Sequence, residues 1–310
     1  MSSLIEQAAW RLQQLKDAGV AVPDAPAKSG GRPEAPLPTR APEVGDAEPD
    51  GAAAVSRRVE LDLRALAASG FATPNDTRSV IGDQYRVIKR PLIRNAMGKG
   101  ASSLVHGNLI MVTSALPGEG KTFTSVNLAM SIAAELDHTV MLVDADVARP
   151  SVLNILGREK GPGLLDILDG QAKMADVLLR TNIDKLTILP SGTYHPRATE
   201  LLASEAMRQW LDDVALRYAD RIVIFDSPPL LLTTEARVLA SHMGQVVVVV
   251  QAGKTLQSHV EHALAAIESC PVRLLLLNQA HAGADAAYGY GYGYGYGASD
   301  RRPQAASSAT

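Results

Sequence analysis

The chain has 310 residues, 46% of them apolar, a formal net charge of −3 and a single cysteine, Cys270. That is enough apolar material for one large domain with extras or for two small ones, and it leaves no excess of basic charge to attract nucleic acid or an anionic membrane. One cysteine excludes an internal disulfide and a Cys-only metal site, and it suits a reducing, cytoplasmic compartment.

In chain order, residues 1–20 carry charges where a secretory leader would have its apolar core, which predicts no leader. They predict instead an amphipathic helix. Ser3 and Glu6 form a capping box, Leu4, Ile5, Ala8, Leu12 and Leu15 make an apolar stripe, and Gly19 ends it. Such a helix docks on a partner or packs on its own domain. Residues 21–58 are rich in Pro, Ala, Gly and Glu with almost no large apolar side chains, so they read as a flexible linker. Helical pattern returns at Glu60–Ala68 and Asp76–Met97.

From Leu109 onward, β-branched apolar runs alternate with helical patterns. Strands are expected at Leu109–Thr113, Thr139–Val143, Leu186–Leu189, Ile222–Phe225, Val246–Val250 and Arg273–Asn278. Helices are expected between most of them, notably Thr122–Glu135, Glu205–Tyr218 and Leu256–Glu268. This alternation predicts an α/β domain over residues 59–281, with a doubly wound, mostly parallel sheet of P-loop NTPase type and helices on both faces. No apolar run approaches the roughly 20 residues that span a bilayer. Residues 282–310 are low in complexity, with Gly alternating through a tyrosine cluster, and read as a disordered tail.

The segment Leu109–Thr122, LIMVTSALPGEGKT, runs from an apolar strand through a Gly-containing turn to Lys-Thr at a helix start. A P-loop requires this context, because backbone N–H groups and the helix N-terminus must face phosphates. Pro117, Gly118, Glu119, Gly120, Lys121, Thr122 and Phe123 are therefore expected to contact the nucleotide. Lys121 would reach the β- and γ-phosphates, and the Thr122 hydroxyl would ligate Mg²⁺. The general pattern has Gly where this chain has Ala115, so the loop is a variant. Asp144 and Asp146 end the next strand, two residues apart and hence on one side of an extended chain. Asp226 ends a later one in the position of a Walker B carboxylate. A lone strand-end Asp is more often a cap or turn residue. Three beside a P-loop fit Mg²⁺ and an attacking nucleophile.

At this spacing the motifs Ala115–Thr122, Val140–Pro150 and Ile222–Pro229 resemble the three Walker-type motifs of the bacterial tyrosine kinase family. The terminal Tyr288, Tyr290, Tyr292, Tyr294 and Tyr296 resemble its acceptor cluster. HPRATELLAS (His195–Ser204) is similar to the family's Pro-x-x-x-Glu-Leu-Leu segment. The absence of a spanning stretch adds a likeness to the soluble autokinases of exosortase-linked exopolysaccharide loci. The family usually has Arg where this chain has Ala148, with Arg149 next. Its oligomerisation motif Glu-x-x-Arg-x-x-Arg is represented by Asp83, Arg86 and Lys89, and Lys for Arg loses bidentate geometry.

The resemblance implies an ATP- and Mg²⁺-dependent tyrosine autokinase that acts on a neighbouring copy's tail in a homo-oligomer. It also implies activation by a separate membrane chain-length-determinant (polysaccharide co-polymerase) protein, which would recruit the chain peripherally to the inner membrane. Within that reading Lys121, Asp144 and Asp146 are the catalytic set. Thr122, Asp144 and Asp226 surround the metal, and Asp146 is the expected base. Two rivals remain: a deviant-Walker partition or division-site ATPase, which would carry a second Lys where this chain has Leu116, and a non-catalytic ATP-binding adaptor of a polysaccharide export complex.

Overall fold

Runs such as VVVVV at 246–250 have no polar side to offer water, so they form strands covered on both faces. The computed structural model describes residues 57–74, 79–100, 104–217 and 221–280. The expected N-terminal helix, most of the linker and the tyrosine-rich tail lie outside these described residues. The elements begin with β1 (Arg58–Val59), α1 (Leu63–Ala68), α2 (Val80–Ala96), β2 (Leu109–Ser114), α3 (Lys121–Ala133) and β3 (Thr139–Asp144). Short helices α4 (Val152–Ile155), α5 (Leu164–Leu168) and α6 (Met174–Val177) lead to β4 (Leu179–Thr181) and β5 (Leu186–Leu189). Then come α7 (Ala198–Leu202), α8 (Glu205–Arg217), β6 (Arg221–Asp226), α9 (Thr234–Ser241), β7 (Gln245–Gln251), α10 (Gln257–Ala265) and β8 (Val272–Asn278).

The strands form one eight-stranded sheet in the order β1-β4-β5-β3-β6-β2-β7-β8, parallel except between β4 and β5. Alternation of side chains divides the core in two. Leu109, Met111, Met141, Val143, Val223, Phe225, Val246 and Val248 face α8, α9 and α10. Ile110, Val112, Val140, Leu142, Ile222, Ile224, Val247 and Val249 face α2 and α3. All six expected strands are present to within one residue at each end. The short strands β1 and β4 were not expected, because two or three residues carry no readable period. Ser79 caps α2 by accepting from Gly82 N, so the helix expected from Asp76 begins at Val80.

Two buried polar side chains bolt α2 to the domain. Gln245 donates to the carbonyls of Leu92 (3.0 Å) and Gly107 (2.7 Å) and accepts from Asn95 (2.9 Å). Lys89, 4% exposed, donates to the Ser131 carbonyl near the end of α3 (2.5 Å) and pairs with Glu135 at 2.6 Å. That pairing pulls the Glu135 carboxyl below its usual range. The reading of Asp83, Arg86 and Lys89 as one exposed contact row is therefore corrected at its third member. Asp83 is exposed and Arg86 half-buried, the two paired with each other, whereas Lys89 is an internal tether.

Lys89→Ala is expected to destabilise the domain by about 1–2 kcal/mol, because it strips a charge-assisted bond from a buried carbonyl. Asp83→Ala, on an exposed pair, should cost less than about 0.5 kcal/mol. Paired urea denaturation curves measure both.

Candidate active site

The loop between β2 and α3 is shaped by its glycines. Gly118 and Gly120 have φ of +84° and +96°, in the left-handed region. A Cβ on Gly120 would come within 2.1 Å of the Asn278 amide nitrogen, so only glycine fits there. No side chain caps α3, so the N–H groups of its first turn, Lys121 to Phe123, face the loop's concavity. Ala115 is fully buried in the α8–α10 core, which explains a methyl group where the general loop has glycine.

Three carboxylates stand at the same edge of the sheet. Asp144 and Asp226 are register partners at the ends of β3 and β6. Asp144 is 1% exposed; its Oδ2 accepts from Ser151 N (3.1 Å) and Val152 N (3.0 Å), while Oδ1 has no partner. Asp226 is fully buried; its Oδ1 accepts from the Ser125 hydroxyl (3.0 Å), and Oδ2 is left without a hydrogen bond of good geometry. Asp146 accepts from Arg149 N at 3.1 Å.

Burial, reinforced by the Asp226 charge, pushes the Asp144 carboxyl up to about 8. Burial lifts Asp226 to about 6, against the opposing pull of Thr122, Lys121 and Ser125. Asp146 is raised too, by burial, with Lys121 working against the shift. Lys121 is thus close enough to act on both Asp146 and Asp226, yet among the described residues it makes no ion pair. Its ammonium is available to phosphate.

Two unpartnered carboxylate oxygens on adjacent strands fit a divalent cation. The Thr122 hydroxyl, 2.9 Å from Ser151 Oγ, lies on the same side. No group of three His, Cys, Asp or Glu side chains forms a closed metal cage among the described residues.

The family described as "AAA domain" matches residues 107–274, more than half of the chain. Tyrosine-protein kinase YwqD of Bacillus subtilis is 32% identical over 200 residues, which cover 64% of this chain and 81% of that protein. The chain belongs to the bacterial tyrosine-protein kinase family. Tyrosine-protein kinase Wzc of Salmonella typhimurium is 31% identical over 157 residues, 51% of this chain but 21% of that longer protein. Among solved structures, the kinase domain of the Escherichia coli tyrosine kinase ETK aligns with a TM-score of 0.59 and 27% identity. The alignment covers 71% of this chain and 83% of that one.

In this family member two of the expected nucleotide contacts turn their side chains elsewhere. The Phe123 ring packs against Phe71, centroids 4.9 Å apart, so only its backbone faces the loop. Glu119 is 2% exposed and points inward, accepting from Leu116 N (2.7 Å) and from the Thr255 hydroxyl. Asn278 donates to the Glu119 carbonyl at 2.9 Å, and Gln279 reaches the Gly118 carbonyl at 3.5 Å. The ends of β7 and β8 therefore brace the kinase's phosphate loop. Sequence reading missed Thr255, Asn278 and Gln279 because they lie more than 130 residues from the loop they hold. In the half-exposed His195–Ser204 segment Leu202 is buried, and Thr199 donates to Glu235 at 2.8 Å.

A carboxyl whose proton affinity is raised by folding binds a proton that the unfolded chain has lost, so stability falls as pH rises between about 4 and 8. Without metal or nucleotide, thermal melts should show this decline. Asp144→Asn should flatten it and raise Tm at pH 8 by at least about 3 °C. Thr255→Val, which removes a donor from a buried carboxylate, should weaken binding of a fluorescent ADP analogue about tenfold. Thr255→Ser should restore it.

Proposed function

We propose that this chain transfers the γ-phosphoryl group of Mg-ATP to its own C-terminal tyrosines, Tyr288, Tyr290, Tyr292, Tyr294 and Tyr296. The chain is a kinase by family, and the arrangement at its strand ends supports the reading. The supporting observation is the convergence of Lys121, the first-turn N–H groups of α3 and three buried carboxylates at one sheet edge.

Lys121 and the N–H groups of the loop bind and orient the β- and γ-phosphates. The Thr122 hydroxyl, Asp226 and Asp144 would hold Mg²⁺, which when bound supplies positive charge against the transferring phosphoryl group. Asp146 is the residue to which we assign the phenolic proton. A phenol loses its proton near pH 10 in water, and the raised proton affinity of Asp146 makes it a better acceptor than an ordinary carboxylate. The phenolic oxygen bonds to the γ-phosphorus as the bond to the β,γ-bridging oxygen breaks, and ADP leaves. Most of the acceleration comes from positioning and charge neutralisation.

The setting belongs to the same proposal. Among the described residues no helix is long and apolar enough to cross a membrane. We therefore assign recruitment to the inner membrane, and activation, to a separate chain-length-determinant protein of exopolysaccharide synthesis. A homo-oligomer would pass each tail to a neighbour, with exposed Asp83 and half-buried Arg86 on α2 as candidate contacts.

Intact-mass spectrometry after incubation with Mg-ATP tests the reading. The wild-type chain should gain stepwise additions of about 80 Da, up to one per cluster tyrosine. Lys121→Met and a chain ending at Gly283 should gain none. Nucleotide binding without phosphate gain, even with the membrane partner, would replace the kinase by an adaptor. ATP hydrolysis without phosphate gain would replace it by a switch ATPase.

A further inference from the structure

β8 ends the sheet, so among the described residues one of its edges is unpaired. The Asn278 carbonyl accepts from Ala252 N, on the β7 side. Backbone groups alternate along a strand, so the N–H and C=O groups of Arg273, Leu275 and Leu277 point to the free edge. The same residues present the strand's exposed face. Leu275 is 57% and Leu277 64% exposed, whereas Leu274 and Leu276 pack into the opposite core. Beside them runs a groove of about 440 Å³, walled by Val250, Val260, Leu275 and Leu277 and ending at Thr255. Among the described residues this edge carries four consecutive leucines and one charge, Arg273 near its start, and its leucine stretch can accept another strand.

We infer that the occupant is this chain's own repeat, residues 288–296, added antiparallel to β8. Three observations select it over other segments. The chain leaves β8 at the mouth of the groove, and residues 279–287 are long enough to turn back. The repeat YGYGYGYGY has the period of a strand, so on pairing every tyrosine falls on one face and every glycine on the other. The two faces of β8 ask for that division: apolar aromatic bodies over Leu275, Leu277 and Val260, and no side chain over the already packed Leu274 and Leu276.

One register sets Tyr288, Tyr290 and Tyr292 opposite Leu277, Leu275 and Arg273. Slips by two residues are equivalent, which favours binding by giving the docked state several registers. The surface is therefore a store for unmodified tyrosines. A phosphate adds a charge of about −1.5 to −2 to a side chain lying on leucine and releases the strand. The release step rests on the kinase reading; the docking does not.

Hydrogen exchange of β8 amides tests this on the phosphatase-treated full chain without nucleotide. Amides of Leu275 and Leu277 should exchange about tenfold more slowly than in a chain ending at Ala287. Those of Leu274 and Leu276, already on the β7 side, serve as the internal reference. Replacing the five cluster tyrosines by Phe should keep the protection, and replacing them by Ser should abolish it. Equal exchange in the full and shortened chains would overturn the inference. So would protection that survives the shortening and disappears on removal of residues 1–20, or that grows with protein concentration, since these identify the N-terminal segment or a second copy as the occupant. If protection is found and Mg-ATP adds no phosphate, the docking stands and the kinase reading fails.

Discussion

Asp144 and Asp226 sit side by side at the ends of neighbouring strands, out of reach of water, and much of the site follows from that pairing. Parallel strands in register place equivalent ends about 4.8 Å apart, so the β3–β6 ladder that holds the middle of the core also forces two carboxylates together. Left as they are, they resist ionisation. The surroundings divide the load: the start of α4 donates two N–H groups to Asp144, Ser125 donates to Asp226, and the Lys121 ammonium stands by without pairing. What remains unmet is one oxygen on each carboxylate, which is a demand for positive charge. The same geometry that makes the apo site unfavourable makes a bound cation favourable.

The phosphate loop is held from outside as well as by its own glycines. Glu119 faces inward to Thr255, and Asn278 holds its carbonyl, so β2, β7 and β8 share one rigid joint. On the other side α3 runs from Lys121, at the loop, to the carbonyl that Lys89 grips. Helix α2 is thus tied to the far end of the same rod, about 20 Å long at 1.5 Å per residue.

The parallel sheet was legible in the sequence because its central strands are buried on both faces, and continuous apolar runs ending in Asp are distinctive. Lys121, Thr122 and the three aspartates could be placed for the same reason: strand ends in such a sheet converge. Residues whose meaning depends on a distant partner were not legible. Lys89 matches an exposed charged row by spacing, yet it turns inward because α3 ends in a carbonyl beside it. Phe123 and Glu119 belong to the loop by position, yet their side chains serve Phe71 and Thr255. β1 has only its ladder with β4, and β4 is held by ladders with β1 and β5, none of which two or three residues can announce.

Gln279, bonded to the Gly118 carbonyl, roots the C-terminal segment on the lip of the phosphate loop. Eight residues separate it from Tyr288, nine steps along the chain that span at most about 30 Å. An acceptor confined to that radius has an effective concentration on the order of 10 mM. Under the reading proposed above, recognition of flanking sequence would contribute little beside such a figure, whether the site reached is the chain's own or a neighbour's, and a plain alternation of glycine and tyrosine would suffice as substrate. Selectivity would then reside in the tether's length and anchor point, and a tyrosine moved far along the tail would lose its advantage without any change in its neighbours.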